Sequence, residues 1–242
     1  MIRLASGGER LVKLQITIRW LGNWVALLLL SMFVAEGVHF TTPEVDPGAM
    51  QITLALCCSW LAVLLLPADG GNKTRAGAVT LWAVASAAGF LILSSPLPFF
   101  GHGIRIYQLA GSVLILILLF SAVQSLIHTY TSSRASALTL FTLLAAAFIA
   151  APLYLSVLAE ATSNQTLVVD SIIAASPVSY LAGIADYDYL RSGWFYQHMP
   201  FGGLRFNYPA PGFMTVFYVI TTLVLAGANS LANRPAIRRP KP

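Results

Sequence analysis

Residues 106–158 constrain the fold of this chain more than any other stretch. They read IYQLAGSVLILILLFSAVQSLIHTY, then TSSRASA, then LTLFTLLAAAFIAAPLYLSVL. Two runs of more than 20 mostly apolar residues flank a short polar turn whose one charge is Arg134. In water, runs of this kind would expose a large apolar surface. As helices in a bilayer, each is long enough to cross a hydrocarbon core of about 30 Å while pairing its own backbone groups. The expected fold class is therefore an all-α integral membrane protein.

Composition agrees. Charged residues make up 10% of the chain, against roughly 25% in soluble domains, and mean hydropathy is +0.75. The 242 residues suffice for six spans and their connections, and for no sizeable soluble domain. A net charge of +5 would point to nucleic acid in a soluble protein. Here the basic residues gather at span ends, which is the signature of topology, and no nucleic-acid partner is expected. Cys57 and Cys58 are adjacent within an apolar run, where helix geometry points neighbours about 100° apart. That disfavours a disulfide or a two-cysteine metal site. The N-terminus is amphipathic and reads without a cleavable signal.

In chain order, residues 1–19 interleave Arg3, Arg10, Lys13 and Arg19 with aliphatic residues, as a helix lying on the cytoplasmic membrane surface would. Predicted spans follow at about 20–40, 50–66, 78–97, the two of the hairpin, and 213–231. The third is rich in small residues (Ala83, Ala85, Ser86, Ala87, Ala88, Gly89), which favours close helix–helix approach. Residues 159–211 form an outer loop with short membrane-associated helices, interrupted by Asp170, Pro177, Asp186 and Asp188 and ending in an aromatic, glycine-rich stretch. Residues 233–242 are a basic, proline-rich tail. The whole chain reads as a single transmembrane domain.

Lysine and arginine fix the orientation. With both termini cytoplasmic, the inner segments hold Arg3, Arg10, Lys13, Arg19, Lys73, Arg75, Arg134, Arg234, Arg238, Arg239 and Lys241. The outer ones hold Arg105, Arg191 and Arg205, a balance of 11 to 3. The compact format points to a bacterial cytoplasmic membrane.

Candidate chemistry is sparse. His39, His102 and His198 all fall at the outer face and are the candidate ligands for copper or zinc. They come from separate loops without motif spacing, so ordinary interfacial histidines are the preferred reading and neither a metal nor a cofactor is assigned. His128 sits at an inner span end, and no histidine lies mid-membrane to hold haem. Glu36, near the outer end of the first span, is an ionisable group at membrane depth. Glu160 resembles it, with snorkelling preferred. Asp186 and Asp188 read as a solvated loop beside Arg191. The candidates for transport or gating are Glu36, Asp170, Pro177 and Asp186. Phosphate-cradling glycine loops, nucleophile elbows and zinc motifs do not occur, so no catalytic residue is assigned.

The stretch LLFSAVQSLIHTYTSSRASALTLFTLLAAAFIAAPLYL, a span ending in a Ser/Thr/Arg turn before a small-residue span, resembles the fourth-to-fifth helix connection of type-2 ABC-transporter permeases. The basic amphipathic start resembles that family's elbow helix, and SIIAASPVSYLAGI resembles its outer re-entrant helices. The resemblance covers mainly residues 105–232. It implies six spans with a broken outer segment between helices 5 and 6. It further implies a permease subunit of an ATP-driven exporter, partnered by a separate cytoplasmic ATPase and a second permease copy or homologue. One departure stands out: the family's longer, acidic coupling segment after the second span is replaced by PADGGNKTRAG. The departure bears on ATPase coupling through the usual contact. The alternative is a non-catalytic structural or assembly subunit of a larger membrane complex.

Overall fold

The computed structural model describes residues 47–66, 72–94, 104–131, 133–154, 165–189 and 209–232. The sequence expectations for residues 1–19, the span 20–40, Glu36, His39, His102, Glu160, Arg191, His198, Arg205 and the tail 233–242 lie outside them. All regular structure among the described residues is helical. The helices are α1 (Pro47–Leu64), α2 (Asn72–Ser94), α3 (Ile104–Tyr130), α4 (Arg134–Ala150), α5 (Gln165–Ala175), α6 (Pro177–Ala185) and α7 (Pro211–Ala232).

Three of these, α1, α3 and α7, are long and apolar enough to cross a membrane, and α5 with α6 forms one further span if the bent pair is counted as one. At about 1.5 Å per residue, the 27 residues of α3 extend ~40 Å. It is the helix the others pack on: α1, α2, α4, α6 and α7 all lie against it. The small-residue face of α2 does what its composition suggests, with Ala83, Ser86 and Ala87 buried against neighbouring helices. On the other side of the bundle, Phe213, Val216, Ile220, Leu223 and Val224 of α7 stay exposed. An exposed apolar face this long is what a lipid solvent requires. The chain is an all-α membrane protein.

Several hydroxyls meet the same constraint, although those of Ser86, Ser121 and Ser176 are buried without a hydrogen-bond partner. Ser59, Ser94, Ser112, Thr215 and Thr222 each donate to the carbonyl four residues back in their own helix. This back-bonding satisfies a polar group where water is lacking.

Short connections alternate the helix directions and create two ends. At one end Ser133 caps α4, accepting from the Ser136 N–H at 3.1 Å, which lets a new helix start after three residues. The Arg134 guanidinium donates to the Leu66 carbonyl at 2.7 Å, closing the C-terminus of α1 with a cation. Nearby, Asn229 of α7 donates to Ser125 and accepts from Thr129, both on α3. At the opposite end Arg105 pairs with Asp186 at 2.9 Å. There, too, Gly48 of α1 meets Tyr187 so closely that a Cβ at Gly48 would lie 2.6 Å from its Cγ. Only glycine permits that approach.

Candidate functional site

The break between α5 and α6 organises the Arg105 end. Pro177 has no N–H and its ring excludes a continuous helix through Ile173, so Ser176 turns extended (φ −76°, ψ 126°) and the axis bends by 76°. Pro177 then serves as the first residue of α6, where its fixed φ suits a helix start. The Ser176 N–H bonds the Ile173 carbonyl at 3.3 Å. The Ala175 carbonyl is met by the phenol of Tyr218, which donates to it at 2.7 Å. Tyr218 lies seven residues into α7 (211 to 218), so the break sits about 10 Å below the end of the bundle.

From that depth α6 climbs outward. Tyr180 packs on Tyr218 with ring centroids 4.9 Å apart, and its hydroxyl shares a 3.1 Å hydrogen bond with Thr215. Ser179 shares a 2.8 Å hydrogen bond with the phenol of Tyr189. Burial pushes that phenol from its ordinary value near 10 up to about 12; the Asp188 carboxylate acts in the same direction and the Ser179 hydrogen bond opposes it. The helix stops at Asp186, which adopts the left-handed conformation (φ 56°, ψ 43°). Asp186 and Tyr187 both direct their N–H groups at the Ala182 carbonyl, as in a glycine-type C-cap.

Beside this segment is a half-open cavity of about 330 Å³. Gln108, Gly111, Ser112 and Ile115 of α3 form one wall; Tyr180, Gly183 and Ile184 of α6 form another. Pro211, Gly212 and Thr215 of α7 close the third side. Among the described residues that line it none is charged. The Arg105–Asp186 pair stands one helical turn beyond Gln108 and Gly183 along α3 and α6.

Of the gating candidates, the structure brings Pro177 and Asp186 together with this cavity, at the two ends of α6. Asp170 is on α5, with one carboxylate oxygen buried and without a hydrogen-bond partner. Asp186 pairs across the bundle with Arg105; Arg191, the neighbour the sequence suggested, lies outside the described residues. Among the described residues no group of three histidine, cysteine or acidic side chains could hold a metal. Sequence reasoning missed Tyr180, Tyr218, Gln108 and Arg105. The aromatic residues read as span filling, and only their hydroxyls distinguish them.

These features define a membrane protein with a broken helix and a cavity at one end. Comparison with family models, with curated proteins and with solved structures found no match.

Proposed function

We propose that this chain is the membrane-spanning permease subunit of an ATP-driven exporter of the type-2 ABC kind. Six helices would cross a bacterial cytoplasmic membrane, with both termini and the Arg134 end inside. A separate cytoplasmic ATPase and a second permease copy or homologue complete the transporter. ATP-driven closure of the ATPases rocks the helix bundles between inward- and outward-open states. The supporting observation is the 76° break of α5–α6, seated against α3 and α7 beside a cavity. Irregular backbone at membrane depth is tolerated where protein or a cavity surrounds it, and such breaks mark transport paths. In this reading the broken segment gates the outer exit, with Pro177 as hinge and the Asp186–Arg105 pair holding α6 to the bundle.

A second reading, a structural or assembly subunit, is favoured by the cytoplasmic connections. Residues 67–71 leave five residues between Leu66 and α2, and residues 131–133 leave three between α3 and α4. Neither has room for a coupling helix. The test is purification of the full chain with its native partners from membranes. A stoichiometric nucleotide-binding subunit supports the permease. A stable complex without one refutes it and leaves the structural role.

A further inference from the structure

The cavity at the Arg105 end has a lining whose chemistry selects its occupant. Its hydroxyls are already engaged: Ser112 donates to the Gln108 carbonyl, Thr215 to the Pro211 carbonyl, and Tyr180 shares a hydrogen bond with Thr215. What remains facing the space is aliphatic side chain, proline ring, the Tyr180 ring and glycine, with Gln108 supplying a carboxamide to the lining. A Cβ built on Gly111 or Gly212 meets nothing within 4 Å, so the two glycines leave space that side chains could fill. Around the opening the helix surfaces are apolar and exposed, including Tyr107, Phe213 and Val216. A half-open, uncharged space adjoining lipid-facing surface is filled by what surrounds it, which in a bilayer is hydrocarbon. One cation and one anion stand together one helical turn beyond the lining, Arg105 and Asp186, both exposed. The guanidinium offers donors to a phosphate, and the carboxylate accepts from an ammonium.

We propose that this cavity is a binding site for one acyl chain of a zwitterionic phospholipid, with its headgroup at Arg105 and Asp186. The bound chain fills the space between α6 and the α3–α7 pair and so wedges the broken helix in place. The inference depends on membrane embedding and not on the permease reading. It holds equally for a structural subunit.

The experiment uses the purified full chain in nanodiscs containing phosphatidylethanolamine with a photoactivatable group near the middle of one acyl chain. Crosslinks are expected on α3 from Gln108 to Ile115 and on α6 from Tyr180 to Ile184. Gly111→Leu should lower the yield there about tenfold or more, the equivalent of ~1.4 kcal/mol. Labelling at Leu223 and Val224, on the open lipid face of α7, should stay unchanged. Gly212→Leu, on another helix, repeats the test should the first variant not fold. Unlabelled phosphatidylethanolamine should compete better than anionic phosphatidylglycerol. Cavity labelling no stronger than at Leu223 and Val224, or insensitive to both leucine variants, overturns the site. Equal competition by the anionic lipid overturns the headgroup assignment. Because no ATPase takes part, failure here leaves the permease reading to its own test.

Discussion

Tyr218→Phe removes one oxygen atom from the bundle and tests whether the break in α5–α6 is held by a specific bond. Pro177 cannot continue the helical ladder, so the carbonyls ahead of it need other donors. Ile173 finds the Ser176 N–H, and Ala175 finds the Tyr218 phenol at 2.7 Å. The phenylalanine ring would keep its place against Tyr180, since the ring contact at 4.9 Å does not involve the hydroxyl. The loss is therefore that of a buried acceptor left unsatisfied, about 1–3 kcal/mol, with lipid surroundings favouring the upper half. Tyr180→Phe is the internal control. Its hydroxyl bonds Thr215 at 3.1 Å, but Thr215 keeps its own bond to the Pro211 carbonyl at 2.9 Å, so no carbonyl is orphaned. That variant should cost about 0.5–1 kcal/mol. Hydrogen exchange in nanodiscs reads the difference locally. Protection of residues 171–180 should fall about 5- to 100-fold in Tyr218→Phe, following from 1.4 kcal/mol per tenfold. Equal effects of the two variants, or a larger one from Tyr180→Phe, would show that ring packing and not the hydroxyl holds the break.

Other expectations can be checked by unfolding in detergent or by titration. Gly111→Ala should stabilise by about 0.5–1 kcal/mol, because the methyl enters open space in a helix interior. Gly48→Ala should instead cost about 1–3 kcal/mol, since its Cβ would lie 2.6 Å from Tyr187. Asp186→Asn should cost at most about 1 kcal/mol, the worth of an exposed ion pair, whereas Asp186→Ala adds about 1 kcal/mol for alanine at φ 56°. The Tyr189 phenol should titrate near pH 12 in an ultraviolet difference titration against Tyr189→Phe. Its folded value lies above its unfolded one. The associated stability is thus fully present below pH 10 and lost as pH rises from 10 toward 12. A midpoint at the ordinary value would refute its burial.

The long elements were legible because bilayer length is a strict requirement. The span predicted from residue 106 to 130 is the helix Ile104–Tyr130. The expected polar turn shrinks to residues 131–133 because Ser133 is a cap and the alanines after it are strong helix formers. Of the following span, read to Leu158, the described part is an α-helix to Ala150 that tightens into a 3-10 turn over Ala151–Tyr154 around Pro152, and residues 155–158 lie outside the described ones. An interruption of the α5–α6 stretch was also legible, from Pro177 and the acidic residues within its apolar run. The packing was not. A helix that is apolar on every side, like α3, has no polar face to show which side meets protein and which meets lipid. Its central position and the cavity beside it follow from tertiary contacts alone. Arg105 and Asp186 are 81 residues apart, so no local spacing could pair them.

The anchors around the break also say which part of it can move. α6 is held along its length by Tyr180 against Tyr218 and Thr215, and at its far end by Arg105 and by the fit of Tyr187 over Gly48. Its buried face, Tyr180, Leu181, Ala182 and Ala185, belongs to the main core. α5 has a different standing. Among the described residues it packs chiefly on α6 and on the 3-10 turn after α4, and it leaves Leu167 exposed. Motion about Ser176–Pro177 therefore swings α5 while α6 stays with the bundle, since the element with fewer buried contacts opens at lower cost. In the permease reading this narrows the gate to residues 165–175, the segment that carries Asp170 and its unpartnered oxygen.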